Sequence, residues 1–216
     1  MPLRRSWEAT RLIPENPDVP KIIPPQVLLD AYSQGIFPMA EDGEIHWFSP
    51  LRRGLIPLDD RFHIPHGLAK SLARKPFEIR HNTAFREVMM ACAARPETWI
   101  DDLLIDSYCH LHELGHAHSF ECWDDDGLQG GLYGVSQGGA FFGESMFSKK
   151  TDASKIALVA LVAWLRERSF GLLDTQWMTS HLKQFGGCEV SREDYLQLLG
   201  EALKDRPSAS PRASSH

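Results

Sequence analysis

No CxxC pair, no long apolar run and no excess of basic charge occur in this chain, and each absence removes a class of protein. The four cysteines, Cys92, Cys109, Cys122 and Cys188, are scattered, so reduced thiols are expected rather than a disulfide framework or a zinc knuckle. No apolar run reaches the ~18 residues of a membrane span, and the opening MPLRRSWEAT lacks the apolar core of a signal peptide. The expectation is a cytoplasmic protein with no membrane partner. Lysine and arginine number 23 against 29 aspartates and glutamates, a net charge of -6, which argues against a broadly basic nucleic-acid binder while leaving room for a local patch. There is no internal repeat. What is present, 216 residues of which 43% are hydrophobic and 24% charged, is the composition of an ordinary globular protein with one core, or one core and a small satellite domain.

The stretch around which the chain is organised is Leu132 to Leu165, LYGVSQGGAFFGESMFSKKTDASKIALVALVAWL. Two runs rich in aromatic and β-branched residues, Leu132 to Gln137 and Ala140 to Ser148, flank Gly138-Gly139, which suits the tight turn of a hairpin. After Lys149-Lys150 the period changes. Thr151 or Asp152 is placed to cap a helix that nothing interrupts from Ala153 to about Arg166, and its apolar run Ile156 to Leu165 predicts a buried helix. Glu144, on a strand otherwise made of Phe141, Phe142, Met146 and Phe147, is either solvated at a sheet edge or held in a cleft for a purpose.

In chain order, the prolines up to Pro25 predict an extended arm, and Gln26 to Gly35 a short helix ended by glycine. Short strands and turns follow to about residue 60, closing a small N-terminal β-containing unit over 1–60. Residues 61–204 form the main domain: helices near His66–Arg74, Thr83–Arg95 and Asp102–Leu114, a strand at FEIRH, a hairpin through the Asp-Gly of SFECWDDDGLQGGLYGV, the central stretch, a final strand FGLLDTQW, a turn or short helix at His181–Phe185, and a closing helix Ser191–Leu203. Ser191 and Asp194 stand in capping-box spacing. The tail 205–216, DRPSASPRASSH, is low-complexity and expected to be disordered. Helices alternating with strands that include hairpins predict a mixed α/β (α+β) sheet and not a doubly wound one.

His112-Glu113-Leu114-Gly115-His116 satisfies HExxH, the helical zinc-protease signature. A zinc site needs both histidines on one intact helix, and Gly115 is a natural helix stop; Ser119 and Cys122 stand where a third histidine would be sought. His110, His112, His116 and His118 are therefore expected to be structural, and no metal is expected.

The blocks GIFPM, WFSP, RRG with IPL, TWI, HELGHAHS, GGLYGVSQGGAFFGESMFS, DASK, and LLDTQ with HL and FGG resemble, in order and over roughly residues 26 to 200, the leucyl/phenylalanyl-tRNA-protein transferases of bacteria. The resemblance implies a small N-terminal domain, a C-terminal domain with a GNAT-like (acetyltransferase-like) fold, and transfer of Leu, Phe or sometimes Met from aminoacyl-tRNA to the α-amine of proteins beginning with Arg or Lys, which creates an N-degron. It implies no cofactor, because an aminoacyl ester is already activated and aminolysis asks for a neutral amine held against a carbonyl, without ATP or metal.

Residue by residue, the same resemblance implies that Gln176 touches the attacking amine while Asp174, on an alternate position of the last strand and so on the same face, polarises it and attracts the acceptor's cationic side chain. From the residues alone, a strand-end carboxylate capping a turn is the favoured reading of Asp174. Glu144 would orient the aminoacyl α-amine. An apolar slot for Leu or Phe could be built from Leu158, Leu161 and Leu165 on one helix face with Leu132, Phe141 and Leu173 on strands, residues that plain core would also use. Trp99 would stack on the terminal adenosine; Met39 stands where some members carry an aromatic second wall. Arg52, Arg53, Lys70, Arg74 and Lys75 form the candidate patch for the tRNA backbone, or else a solvated face. The alternative, a CoA-dependent N-acetyltransferase on the same fold, calls for a glycine-rich pyrophosphate loop before the buried helix, where this chain has SKKTDASK.

Overall fold

Alternation along the strands, apolar on both sides, dictates a sheet covered on both faces. In the computed structural model, which describes residues 22–95 and 97–205, that sheet is mixed and has seven strands. The elements are α1 (Pro25–Ser33), β1 (Phe37–Glu41), β2 (Glu44–Phe48), β3 (Arg52–Ile56), α2 (His66–Ala73), β4 (Glu78–His81), α3 (Phe85–Ala93), α4 (Asp102–Glu113), β5 (Ala117–Asp124), β6 (Gly127–Gln137), β7 (Ala140–Ser148), α5 (Ala153–Glu167), β8 (Leu172–Asp174), α6 (Ser180–Lys183), β9 (Cys188–Ser191) and α7 (Arg192–Ala202). The sheet order is β4-β5-β6-β7-β8-β3-β9, with β1 and β2 as a separate hairpin. Nearly all of the extended arm and the tail after Asp205 lie outside the described residues.

Neighbouring strand residues fall to opposite faces. Tyr133, Phe142, Leu172 and Leu55 pack with α1, α3, α4 and α7, whereas Leu132, Phe141, Leu173 and Ile56 pack with α2, α5 and α6. The hairpin β6–β7 closes through Gly138-Gly139 between Gln137 and Ala140, and β7 then pairs in parallel with β8. Helix α5 crosses the second face with Ile156, Leu158, Leu161 and Leu165 buried, each contributing about 1.5–3 kcal/mol by leaving water; the apolar run predicted burial all round, but Val159, Ala160 and Trp164 are half-buried and Ala163 is exposed, so the helix covers the sheet with one face only.

Four expectations need correction. The run FGLLDTQW is strand only over Leu172–Asp174, and it is not the last strand, because β9 follows and pairs with β3. β3 itself, assigned from sequence to the N-terminal unit, lies inside the main sheet between β8 and β9. Asp152 does not cap α5: its backbone is left-handed at φ 65° and its side chain bonds no helix N–H, instead accepting from Lys155 Nζ at 2.9 Å and from Ser71 Oγ at 2.8 Å, which ties α2 to the start of α5. Ser191 does cap α7 through Asp194 N at 3.1 Å, but the Asp194 carboxylate takes the serine hydroxyl at 2.7 Å, so the reciprocal bond of a capping box is absent.

Candidate active site

A cavity opens where two parallel strands part. β7 and β8 are paired only from Ala140–Leu172 to Phe142–Asp174. Beyond that β7 runs on to Ser148, while the chain after Asp174 turns away over Gly54. A Cβ at Gly54 would lie 2.8 Å from Met178 N and from Trp177 C, so only glycine lets the segment 175–178 cross β3 so closely. Two bonds fix that crossing, Gly54 N to Gln176 O and Thr175 N to Gly54 O, both 2.9 Å.

Two local irregularities aim side chains into the opening. Along β6 and β7 the register steps between Tyr133, opposite Ser145, and Gly134, opposite Gly143, which leaves Glu144 on a bulge without a cross-strand partner; bulges of this kind re-aim side chains beside active sites. Gln176 holds a left-handed backbone at φ 56°, a conformation that costs a non-glycine residue about 1–3 kcal/mol and survives where the surroundings enforce it. Gln176 Nε2 donates to Glu144 Oε1 at 2.9 Å. Glu144 thus sits at an interior strand and faces the cleft, not a solvated sheet edge.

The cavity holds about 420 Å³. Its apolar wall is Leu132, Met146, Leu158, Leu161, Leu173 and Leu182; its polar end is Glu144, Gln176, Thr175 and Ser145; Phe37, Met39, Trp99, Trp177 and Arg95 stand around it. Burial drives the Glu144 carboxyl up to about 8, against the pull of its Tyr32 hydrogen bond and helped by the charge of Asp174. The phenols of Tyr32 and Tyr108, hydrogen-bonded to one another, back the carboxylate, with Tyr108 Oη 3.5 Å from Glu144 Oε2. Burial first, then the Glu144 charge, raises both phenols well above the ordinary range, so they stay protonated and serve as donors.

Asp174 is placed differently from expectation. It is fully buried and clamped by Arg53, whose Nε lies 2.8 Å from Oδ1 and whose Nη2 lies 2.6 Å from Oδ2. Tyr195 Oη adds a bond of 2.7 Å to Oδ2. Strand alternation fails beyond Asp174 because β8 ends there, so Asp174 and Gln176 do not share a face: Gln176 lines the cavity and Asp174 does not. The link between them is a backbone one, Gln176 N to Asp174 Oδ1 at 2.8 Å. A direct contact between Asp174 and an acceptor side chain is incompatible with this burial.

Arg53 is likewise no phosphate contact. It is 1% exposed, its third bond goes to Gly35 O at 3.0 Å, and its guanidinium lies 4.5 Å from the Tyr195 ring centre and 4.9 Å from that of Phe37. Arg52, Lys70, Arg74 and Lys75 are exposed. Of the six candidates for the apolar slot, Leu132, Leu158, Leu161 and Leu173 line the cavity; Phe141 and Leu165 are buried in the core and do not line it.

Sequence reasoning missed several lining residues. Tyr133 Oη, Thr175 Oγ1 and His181 Nε2 are buried without a hydrogen-bond partner in the protein, and all three residues line the cavity. Buried polar atoms are ordinarily satisfied, so three orphans at one cavity mark positions for a ligand's polar groups. No sequence pattern isolates them. At the HELGH motif α4 ends at Glu113 and Gly115 takes φ 83°, so His112 and His116 do not share a helix face. The His112 ring stacks on Phe85 with centres 4.4 Å apart, and its Nδ1 lies 2.7 Å from Ala117 O. Among the described residues no group of three or more His, Cys, Asp and Glu side chains is arranged to hold a metal ion.

Comparison with known proteins places the chain in a family. The family profile described as leucyl/phenylalanyl-tRNA protein transferase matches residues 55–200, and that of its N-terminal domain matches residues 23–51. Proteins named leucyl/phenylalanyl-tRNA--protein transferase from Akkermansia muciniphila, Herpetosiphon aurantiacus and Paramagnetospirillum magneticum are 59%, 54% and 52% identical over 187, 184 and 186 residues. The matches take in 84%, 85% and 83% of this chain and 97%, 96% and 88% of those proteins. Among solved structures, L-PGS from Bacillus licheniformis superposes with a TM-score of 0.45 at 13% identity, over 72% of this chain and 65% of that one. These relatives are aminoacyltransferases, and the chain is one of that class. More narrowly, the chain belongs to the leucyl/phenylalanyl-tRNA protein transferase family.

Proposed function

We propose that this enzyme moves Leu or Phe, and Met to a lesser degree, from the 3′ end of aminoacyl-tRNA to the α-amine of proteins beginning with Arg or Lys, making an N-degron in the cytoplasm without metal, ATP or other cofactor. The observation that carries the reading is the 2.9 Å bond from Gln176 to Glu144 at the mouth of a leucine-walled cavity. The wall suits an apolar side chain without branching at Cβ, aliphatic or aromatic, on the aminoacyl group. Glu144 accepts from its α-ammonium, and that cation favours the ionised form of a carboxyl otherwise held near 8. The Gln176 amide nitrogen is engaged with Glu144, so its carbonyl oxygen is free to accept from the attacking amine. An N-terminal amine with a pKa of about 8 is partly neutral at physiological pH.

In the transfer, the amine nitrogen bonds to the ester carbonyl carbon, the bond from that carbon to the ribose oxygen breaks, and one proton passes from nitrogen to the ribose oxygen. Asp174 acts through Gln176, holding its strained backbone by the 2.8 Å bond, and is a positioning residue. Trp99 and Met39 stack on the terminal adenosine, and Arg52, Lys70, Arg74 and Lys75 meet tRNA phosphates. An acetyltransferase-like arrangement is supported by the parting of β7 and β8 over the site. The test is transfer of radiolabelled Leu from charged tRNA to a protein beginning with Arg. Label should appear on that protein in the presence of a metal chelator and not on the same protein beginning with Glu; label on neither sinks the reading, and activity that vanishes on chelation and returns with zinc sinks its metal-free part.

A further inference from the structure

The substrate-sized cavity has a neighbour. A second, more open cavity of about 470 Å³ lies between the end of α3 and the end of β7, lined by Ala91, Ala94, Phe147, Ser148, Lys149, and by Arg95, Met146 and Ser154. The last three residues also line the first cavity, so the two spaces adjoin along a shared wall. Two cations stand in it. Arg95 donates to neutral acceptors, Ser145 Oγ at 2.9 Å and the carbonyl of Met146, and has no carboxylate partner among the described residues. Lys149 has no carboxylate partner among the described residues and lies 6.0 Å from the Phe147 ring centre. Its neighbour Lys150 behaves otherwise, being neutralised by Asp124 at 2.5 Å and Asp126 at 2.6 Å. Of two adjacent lysines, the surface balances one and leaves uncovered the one that faces the groove.

We infer that this second cavity is the exit track of the acceptor strand, where Arg95 and Lys149 hold the phosphodiesters immediately preceding the terminal nucleoside. The inference rests on the proposed function, since it takes the first cavity to hold the aminoacyl-adenosine. Trp99 and Arg95 belong to one short segment after α3, so a base stacked at Trp99 brings its 5′ phosphate toward the guanidinium that stands between the cavities. From there the groove passes Lys149 to the start of α5, which Asp152 ties to α2 through Ser71 at 2.8 Å; Lys70 and Arg74 are on that helix and at its end. The helix that carries Lys70, with Arg74 at its end, is thus bonded to the start of α5, next to the groove that Arg95 and Lys149 line, although the whole chain is acidic.

The experiment compares two ligands that differ in the phosphates. Puromycin mimics the aminoacyl-adenosine alone; an amide-linked phenylalanyl CCA trinucleotide adds two phosphodiesters. Binding of each is measured at 50 and 200 mM KCl to the full chain and to Lys149→Ser and Arg95→Gln. The trinucleotide should bind more tightly, with a salt slope of about 0.7 per phosphate held on single strands. Each variant should lose several-fold in trinucleotide affinity and about 0.7 of the slope, with puromycin unchanged for Lys149→Ser, whose exposed side chain holds no protein group. An unchanged trinucleotide slope in both variants overturns the inference and leaves the proposed function standing, as does an equal loss for both ligands. Failure of the wild-type chain to bind either ligand overturns the proposed function and the inference with it.

Discussion

Two carboxylates lie on adjacent strands of one sheet, and their surroundings could hardly differ more. Asp174, at the end of β8, is sealed from solvent and met by a bidentate guanidinium and a phenol. Glu144, on the bulge of β7, faces a cavity with an amide and phenols as its partners and no cation bonded to it. The first charge is compensated and holds three distant pieces of chain together, β3, β8 and α7. No counter-ion is bonded to the second, and burial, helped by the Asp174 charge, lifts it toward neutrality. Compensation at one carboxylate and its absence at the next separates the group that holds the surrounding elements together from the group that faces an open cavity with no cation bonded to it.

The largest effect should come from breaking the compensated side. Arg53→Met leaves the Asp174 charge buried and alone, at a cost of about 3–5 kcal/mol, read as a lowered urea midpoint; a cost below about 1 kcal/mol would mean that the pair anchors nothing. Asp174→Asn strands the guanidinium instead and should also lower stability, with transfer falling further than the loss of folded protein explains, because Gln176 loses a charged acceptor for its N–H. Binding of puromycin should change little, since Asp174 does not reach the cavity.

Next comes the uncompensated side, where stability and binding should move in opposite directions. On the proposed role of Glu144, Glu144→Gln removes the charge that meets the α-ammonium and should cost about 1–3 kcal/mol in analogue binding and in transfer. For stability the sign follows from proton counts: between the unfolded value near 4.5 and the folded value of about 8, the native state keeps a proton that the unfolded chain has lost. Wild-type stability therefore falls as pH rises through that window, by up to about 1.4 kcal/mol per pH unit. Glu144→Gln lacks this slope, so it should melt above wild type at pH 8 and near it at pH 4.5. Parallel melting curves across that range would show Glu144 to be an ordinary solvated carboxylate. The smallest effect is expected away from both: Lys70→Ala with Arg74→Ala should lower the salt slope of tRNA binding by about 0.7–0.9 for each phosphate contact removed and leave puromycin binding untouched.

What could be seen in the sequence was what local spacing determines. The Gly-Gly hairpin, the apolar helix α5, the serine cap of α7 and the glycine stop after α4 each depend on residues within a turn or two of one another. What escaped depends on partners far apart in the chain. Arg52 and Arg53 look alike side by side, yet on β3 one faces out and the other in, and only the pairing with β8 across more than a hundred residues shows which. Alternation along an RRGLI strand was an available signal that one of the two must point inward. The left-handed turn at Gln176, the bulge at Glu144 and the orphan hydroxyl of Tyr133 carry no such signal, because each is imposed by the surrounding fold. Glu144 stood out in the sequence as a lone carboxylate on an apolar strand, and resemblance supplied Gln176 and Trp99; helix and strand spacing gave the leucines that line the cavity, together with Phe141 and Leu165, which pack behind it.

The place of β3 has a consequence for how the protein is made. Its sheet partners are β8 and β9, so Ile56 waits for Leu173 while the intervening chain leaves the ribosome, roughly 6 to 23 s at 5–20 residues per second. During that interval Arg53 has no counter-ion and the strand has two open edges. The beginning of the chain is thus completed last, and a ribosome that stalls before β8 leaves an unpaired strand exposed to chaperones and proteases.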